Sequence, residues 1–169
     1  MGTLRLTLMR HGHAEPIDGA PEDYVRQLTA RGRREASGMG ERLLRAGLVP
    51  ERILASSAQR TRTTALLAAA ALGLPEAAID FLDELYNASE QRIWEIVRAH
   101  GGHAPHLLVT GHNPGLSKLA SELAAASGTL PQRIDLPPAG LVTVQWAGKE
   151  PGWPALAPSA AQGAQILLP

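Results

Sequence analysis

The pattern of hydrophobic and polar residues alternates between short apolar runs and longer amphipathic stretches. Short apolar or alternating runs predict β-strands, and apolar residues spaced three or four apart predict helices. The predicted strands span residues 4–9, 52–55, 78–82, 106–110, 141–146 and 165–168. The predicted helices begin near Thr29, Ala58, Ser89 and Leu116. This alternation predicts an α/β fold with three layers, in which a mainly parallel central sheet carries helices on both faces.

Two segments lack the periodicity of regular elements. Residues 12–23 form a polar loop that contains two prolines and several charged side chains. Residues 148–164 are rich in Pro, Ala and Gly and are expected to form a surface connection, not a second domain. We therefore expect residues 1–169 to form a single domain.

The composition narrows the classes of function. Sixteen basic and sixteen acidic residues cancel, so the overall charge does not favour nucleic acid or an anionic membrane as a partner. No run approaches the ~18 apolar residues of a membrane-spanning helix, and the N-terminus lacks the apolar stretch of a signal peptide. The chain has no cysteine, which excludes thiol catalysis and disulfides. We expect a cytoplasmic protein, with a monomer favoured.

Polar residues that are capable of catalysis or ligand binding follow three of the predicted strands. Arg10 and His11 follow the first strand, Arg60 begins the helix after the second, and His112 follows the fourth. Parallel strands place their carboxyl ends at one edge of the sheet, where α/β proteins bind ligands. We therefore expect these four side chains to converge in one crevice.

Two arginines and two histidines at one edge suit a phosphoryl group. Arg10 and Arg60 each offer a planar fork of donors that fits phosphoryl oxygens, although a carboxylate could bind there too. Arg60 also lies in the first turn of its helix, where free N–H groups favour an anion. A neutral His11 is a competent nucleophile at phosphorus, and a protonated His112 would stabilise charge on the equatorial oxygens.

Three segments carry a resemblance to a known family. Leu8-Met9-Arg10-His11-Gly12, residues 56–64 (Ser-Ser-Ala-Gln-Arg-Thr-Arg-Thr-Thr) and Val109-Thr110-Gly111-His112 resemble, in order, the three signature blocks of the histidine phosphatase superfamily. That superfamily includes the cofactor-dependent phosphoglycerate mutases. Ser57 stands where the family usually has Pro, and Thr61 where it usually has Ala. The short chain, with no long insertion between the blocks, is similar to the small branch of SixA-type phosphohistidine phosphatases.

The resemblance implies a mechanism and a site. His11 would become phosphorylated, Arg10, Arg60 and His112 would hold the phosphoryl group, and water would complete the turnover without a metal or cofactor. Glu84, after the third strand, is the nearest match to the carboxylate that protonates the leaving group in larger relatives. Asp83 and Asp18 are the alternatives for that general acid.

The same resemblance leaves the substrate less defined than the mechanism. A chain without long insertions that could cover the site implies an open, shallow site, which suits phosphohistidine on a partner protein. A phosphoryl group bonded to nitrogen also leaves with modest assistance, which fits an enzyme whose general acid is poorly defined. A broad activity on small phosphomonoesters is the alternative within the same superfamily.

Two other classes of function compete with a phosphatase. The His11-Gly12-His13 sequence also resembles the His-x-His ligand pair of metal-dependent hydrolases, although Arg10 would then place a cation beside the metal. A non-catalytic module could instead bind phosphate through the two arginines. His100, His103 and His106 lie near the opposite edge of the sheet, where helix capping is their expected role.

Overall fold

The computed structural model describes residues 2–130, 133–148 and 152–169. These ranges contain the strands β1 (Thr3–Arg10), β2 (Arg52–Ser56), β3 (Ile79–Leu82), β4 (His106–Gly111), β5 (Leu141–Ala147) and β6 (Gly163–Leu167). They also contain the helices α1 (Ala30–Arg45), α2 (Gln59–Leu72), α3 (Glu90–His100) and α4 (Gly115–Ser127). The predicted elements are confirmed, with boundaries that shift by one or two residues. No helix in these ranges combines the length and apolar character needed to cross a membrane.

The six strands form one mixed sheet in the order β3-β2-β4-β1-β5-β6. The pairings of β1 with β4, β4 with β2 and β2 with β3 are parallel, whereas β5 runs antiparallel to both β1 and β6. The sheet is thus mostly parallel, as predicted. Because β1 and β4 are adjacent, their carboxyl ends meet directly, with Arg10 opposite Gly111.

The alternation of side chains along the strands builds a separate core on each face of the sheet. Leu4, Leu6 and Leu8 of β1 pack with buried residues of α3 and α4. Met9, which points to the opposite face, packs with buried residues of α1 and α2. The three-layer arrangement with helices on both faces is therefore confirmed, and the sheet edge stays fixed between two packed layers.

Helix ends follow the local signals in the sequence. The Thr29 hydroxyl accepts a hydrogen bond from the backbone N–H of Gly32 at 3.1 Å and thereby caps α1, the helix predicted to begin near this residue. Ser89 caps α3 in the same way, through the N–H of Arg92 at 3.1 Å. Gly73 ends α2 with φ of 75°, a left-handed conformation that glycine adopts without strain.

The expected surface connection after β5 is confirmed for most of its described residues, which are exposed or partly exposed, but Trp153 and Ala161 are buried and depart from it. Trp153 is fully buried, stacks edge-on against Trp146 with ring centroids 6.0 Å apart, and donates its indole N–H to the carbonyl of Ala104 at 2.7 Å. Burial of a large aromatic ring with its N–H satisfied favours this position over solvent. Residues 149–151 of the segment lie outside the described ranges.

Candidate active site

Two histidines lie side by side where β1 and β4 end. His11 directly follows β1 and His112 directly follows β4, and their ring centroids are 5.5 Å apart. Arg10 is the last residue of β1, and Arg60 is the second residue of α2, where its side chain is 3% exposed. The structure thus brings together the four residues that the sequence placed at one edge of the sheet.

Backbone contacts fix the ring of His11 in a single tautomer. Its Nδ1 lies 2.8 Å from the carbonyl oxygen of Gly12, and because a carbonyl can only accept, Nδ1 carries the proton. Nε2 is therefore left with a free lone pair. Burial, assisted by the positive charges of Arg60 and Arg10, lowers the pKa of His11 to about 4. At neutral pH the ring is uncharged and is able to act as a nucleophile.

Gly12 is required by the way the loop packs against α1. A Cβ atom at Gly12 would lie 2.5 Å from the carbonyl oxygen of Gly32, and one at Gly32 would lie 2.0 Å from that of His13. Close approach of the protein's own backbone, more than room for a ligand, therefore explains this glycine. The N–H of Gly12 donates to Thr64 Oγ1 at 3.0 Å, and that hydroxyl donates to the carbonyl of Arg60 at 2.7 Å. Thr64, whose role went unrecognised in the sequence, thus ties the β1 loop to α2.

His112 is neutral in the free protein, contrary to the expectation of a protonated ring. Burial, followed by the charges of Arg60 and His11, lowers the pKa of His112 to about 3. Its Nε2 lies 2.8 Å from the Ser56 hydroxyl, which also accepts the N–H of Ala58 at 3.4 Å. We assign Ser56 as the donor to Nε2, because its hydroxyl already accepts from Ala58, and this assignment places the single ring proton on Nδ1.

Several buried nitrogens around the two histidines have no hydrogen-bond partner within the described part of the chain. They are Arg10 Nε, Arg60 Nε and His112 Nδ1 at the sheet edge, and Arg26 Nε, which belongs to the same cavity. A buried donor without an acceptor costs about 1–3 kcal/mol, so such groups are rarely left unpaired without a reason. Three of them at one sheet edge form a site suited to an anion with several oxygens.

Asp23, the last residue of the polar loop, and Arg26, three residues beyond it, also line this site and were missed in the sequence. The terminal nitrogens of Arg60 donate to the backbone carbonyl of Asp23 at 2.7 Å and to its Oδ2 at 3.0 Å. Arg26 Nη2 lies 3.1 Å from Asp23 Oδ1. The Tyr86 hydroxyl, together with Arg60 and Arg26, holds the pKa of Asp23 below its usual range. The only local signal for these residues was a loop rich in charge.

The candidate general acids are not brought to His11, which corrects the expectation for Glu84. The 3-10 turn after β3 buries Leu85 in the core and directs Glu84 towards α3. There Glu84 pairs with Arg92 and lies 3.3 Å from His100 Nε2. Asp83 accepts a hydrogen bond from Ser57. Asp18 is exposed and does not line the cavity.

A cavity of about 450 Å³ opens above the two histidines. It is lined by Arg10, His11, His13, Ala14, Asp23, Arg26, Arg60, Asn87, His112, Asn113 and Pro138. Asp23 is the one acidic residue among these lining side chains. A cavity of about 520 Å³ lies next to it and shares Asn113, but it contains none of the signature residues. The smaller cavity therefore holds the candidate chemistry.

The alternative of a metal pair at His11 and His13 finds no third ligand among the described residues. His13 lines the cavity, but its Nδ1 lies 2.8 Å from the hydroxyl of Thr29, the cap of α1. Within residues 2–130, 133–148 and 152–169, no group of three His, Cys, Asp or Glu side chains is arranged to hold a metal ion. The donor set at this edge favours an anion over a cation.

Comparison with known proteins agrees with this geometry. Residues 6–91 match the model of the histidine phosphatase superfamily (branch 1). An uncharacterized protein of Mycobacterium tuberculosis is 36% identical over 158 residues, which cover 88% of this chain and 96% of that protein.

Solved structures extend the similarity to the fold. A protein from Nakamurella multipartitia with the provisional name phosphohistidine phosphatase SixA aligns with a TM-score of 0.75 at 29% identity, over 99% of this chain and 95% of that one. A protein histidine phosphatase SixA in complex with tungstate aligns with a TM-score of 0.72 at 25% identity, over 83% and 87% of the two chains. The chain belongs to the histidine phosphatase superfamily.

Proposed function

We propose that this protein is a phosphatase that transfers a phosphoryl group to His11 and then to water, and that its substrate is phosphohistidine on a protein. One observation carries the proposal. A neutral histidine with a free Nε2 lone pair shares a cavity with four buried donors that lack acceptors among the described residues. A phosphoryl group would supply oxygens to those donors and phosphorus to that lone pair.

Each of the four edge residues has a distinct part in the proposed reaction. His11 Nε2 attacks phosphorus, and its Nδ1–H remains bonded to the carbonyl of Gly12 as positive charge develops on the ring. Arg10 Nε, Arg60 Nε and His112 Nδ1 donate to the phosphoryl oxygens and stabilise their charge in the transition state. Water then attacks the phosphorus on His11, and the electron pair of the broken bond returns to Nε2.

The choice of a substrate with a nitrogen–phosphorus bond rests on the acids near the cavity. Asp23 is the one carboxyl group among its described lining residues, and its pKa is lowered. A protonated carboxyl group that could assist an alcohol leaving group is therefore missing from that lining. A nitrogen-linked phosphoryl group needs less assistance, because its leaving group can carry its own proton.

Rapid quench at neutral to alkaline pH with a labelled phosphohistidine protein tests both parts of the proposal. We expect wild type to carry acid-labile, alkali-stable phosphate during turnover and His11→Ala to carry none and to be inactive. His13→Gln is the matched control, since this second histidine of the same cavity should leave the phosphoenzyme intact. Turnover by His11→Ala would exclude the mechanism. Turnover of p-nitrophenyl phosphate without turnover of the phosphohistidine protein would exclude phosphohistidine as the substrate.

A further inference from the structure

The carboxylate of Asp23 lies in a cavity that is otherwise suited to an anion. Its Oδ2 accepts from Arg60 Nη2 at 3.0 Å and from the Tyr86 hydroxyl at 2.5 Å, and its Oδ1 lies 3.1 Å from Arg26 Nη2. The side chain is 28% exposed, so it remains accessible from the cavity. Like charges repel, and an ionised carboxylate there opposes the binding of a phosphoryl dianion.

A role in orienting Arg60 does not by itself explain why residue 23 has a charged side chain. The guanidinium already donates to the backbone carbonyl of Asp23 at 2.7 Å, and a neutral side-chain acceptor could take the second bond. The surrounding donors keep Asp23 ionised, which is the opposite of what a general acid requires. The cavity thus holds an ionised carboxylate, flanked by Arg60 and Arg26, within reach of a substrate. Its oxygens are the acceptors in this lining best suited to a positively charged N–H group on that substrate.

We propose that Asp23 selects substrates whose phosphoryl group is bonded to a basic nitrogen, by binding the positive charge of the protonated leaving group. This inference rests on the proposed function and assigns its specificity to a residue. For phosphohistidine, the group bound by Asp23 is the N–H at the ring nitrogen that does not carry phosphorus. A hydrogen bond between that cation and the carboxylate is charge-assisted and strengthens the acid form of the ring.

The chemical step balances without a proton from the enzyme. The lone pair of His11 Nε2 forms the new bond to phosphorus as the bond between phosphorus and the substrate nitrogen breaks. The electron pair of the broken bond stays on that nitrogen, so a neutral imidazole leaves with its proton still on the other nitrogen. In the second step, water bonds to phosphorus, the pair returns to Nε2, and the proton lost by water passes to solvent or to the released phosphate.

An oxygen-linked substrate gains nothing from Asp23 in this scheme. An alkoxide leaving group requires a proton, and a general acid that supplies one accelerates such a step by about 10²–10⁴-fold. Asp23 is ionised and cannot supply it. The same carboxylate therefore favours nitrogen-linked phosphoryl groups and disfavours oxygen-linked ones.

The test compares kcat/KM for phosphohistidine with kcat/KM for p-nitrophenyl phosphate in wild type and Asp23→Asn. Both values are expected to fall, since Asp23 also contacts Arg60, but the phosphohistidine value should fall about 10–100-fold further, the range of one hydrogen bond to a charged group. The decline of phosphohistidine turnover with rising pH should also start at a lower pH in Asp23→Asn. Equal losses for both substrates, with no shift of the pH profile, would reduce Asp23 to a positioning residue and overturn the proposal.

Two further variants separate charge from geometry. Asp23→Glu keeps the charge and should restore the ratio of the two kcat/KM values, and Tyr86→Phe removes a hydrogen bond to Asp23 but should keep the ratio.

If Asp23→Asn does not fold, a binding measurement on wild type tests the inference instead: imidazole at pH 6 should tighten vanadate binding, whereas phenol should not. No difference between imidazole and phenol would contradict the inference.

The outcome also remains separable from that of the proposed function. Absence of a phosphoenzyme in wild type, or turnover by His11→Ala, would exclude the proposed mechanism whatever the result for Asp23→Asn. A phosphoenzyme that forms normally, combined with an unchanged substrate ratio in Asp23→Asn, would end only the present inference.

Discussion

Two buried polar clusters among the described residues contain histidine, and they differ in how their polar atoms are satisfied. At the edge of the sheet, burial lowers the pKa of His11 to about 4 and that of His112 to about 3. Inside the sheet, burial likewise lowers the pKa of His106 to about 4. His106 Nε2 lies 2.8 Å from Thr7 Oγ1, which lies 2.8 Å from Thr143 Oγ1, and the ring also hydrogen-bonds to the backbone of Val49.

The difference shows which property marks a functional site. Both clusters have shifted pKa values, because both are desolvated, so the shift alone does not distinguish them. The interior cluster forms a closed hydrogen-bond network across β4, β1 and β5. The edge cluster leaves Arg10 Nε, Arg60 Nε and His112 Nδ1 without acceptors. Unsatisfied buried donors, not the depressed pKa, indicate where an anion binds.

The largest effect that should separate the clusters is on catalysis. His112→Asn removes a donor proposed to contact the phosphoryl oxygens and should lower kcat by about 10²–10³-fold. His106→Asn should leave kcat per folded molecule unchanged, although it is expected to unfold at lower urea concentration. Steady-state assays with p-nitrophenyl phosphate, corrected for the folded fraction, measure both. A loss of kcat in His106→Asn as large as that in His112→Asn would contradict the assignment of catalysis to the edge cluster alone.

The next effect concerns acid stability. A histidine has a pKa of about 6.5 in the unfolded chain, and the folded pKa of His106 is lowered to about 4. Its contribution to stability is therefore complete above pH 6.5 and is lost as pH falls from 6.5 through 4. A shift of this size corresponds to roughly 3 kcal/mol.

Urea unfolding at pH 7.5 and pH 4.5 measures this loss. His106→Gln cannot titrate, so its stability should fall between the two pH values by about 2 kcal/mol less than that of wild type. Vanadate is expected to bind at the proposed site on the sheet edge, and it should therefore protect wild type and His106→Gln to the same extent. Equal pH dependence in the two proteins would mean that His106 is not the neutral, buried ring described above.

The fold and the core of the site could be predicted from the sequence because both depend on short-range signals. The apolar runs and the caps at Thr29 and Ser89 define the strands and helices, and parallel pairing then places His11 and His112 together. These features need only the spacing of apolar residues along the chain and the rule that parallel strands place their carboxyl ends at one edge of the sheet.

What could not be predicted depends on where loops fold back. Asp23 reaches Arg60 across 37 positions through a loop without periodicity, whereas Glu84 turns away because Leu85 enters the core. Trp153 was assigned to a surface segment because Pro and Ala dominate its neighbours, yet its ring fills the core beside Trp146. In each case a long-range contact that no local pattern encodes decided the position.

The smallest effect tests the interior network itself. Thr7 and Thr143 are directly opposite on β1 and β5, and each hydroxyl can reverse its direction of donation. With His106 neutral, Thr7 donates to Nε2 and Thr143 donates to Thr7. Thr143→Val keeps the shape but removes one hydrogen bond, and it should cost about 1 kcal/mol at pH 7.5.

The same variant should be affected more at acid pH. Protonated His106 must donate from Nε2 to Thr7, whose own proton then needs Thr143 as its acceptor. In Thr143→Val that acceptor is missing, so the protonated state is penalised further. Because the pKa of His106 is about 4, the added loss is small at pH 4.5 and should reach about 1 kcal/mol near pH 3. Urea unfolding at pH 7.5 and pH 3 measures the difference. A deficit that is the same at pH 3 as at pH 7.5 would show that Thr143 is not the acceptor in the protonated state, and that the network does not reverse as a unit.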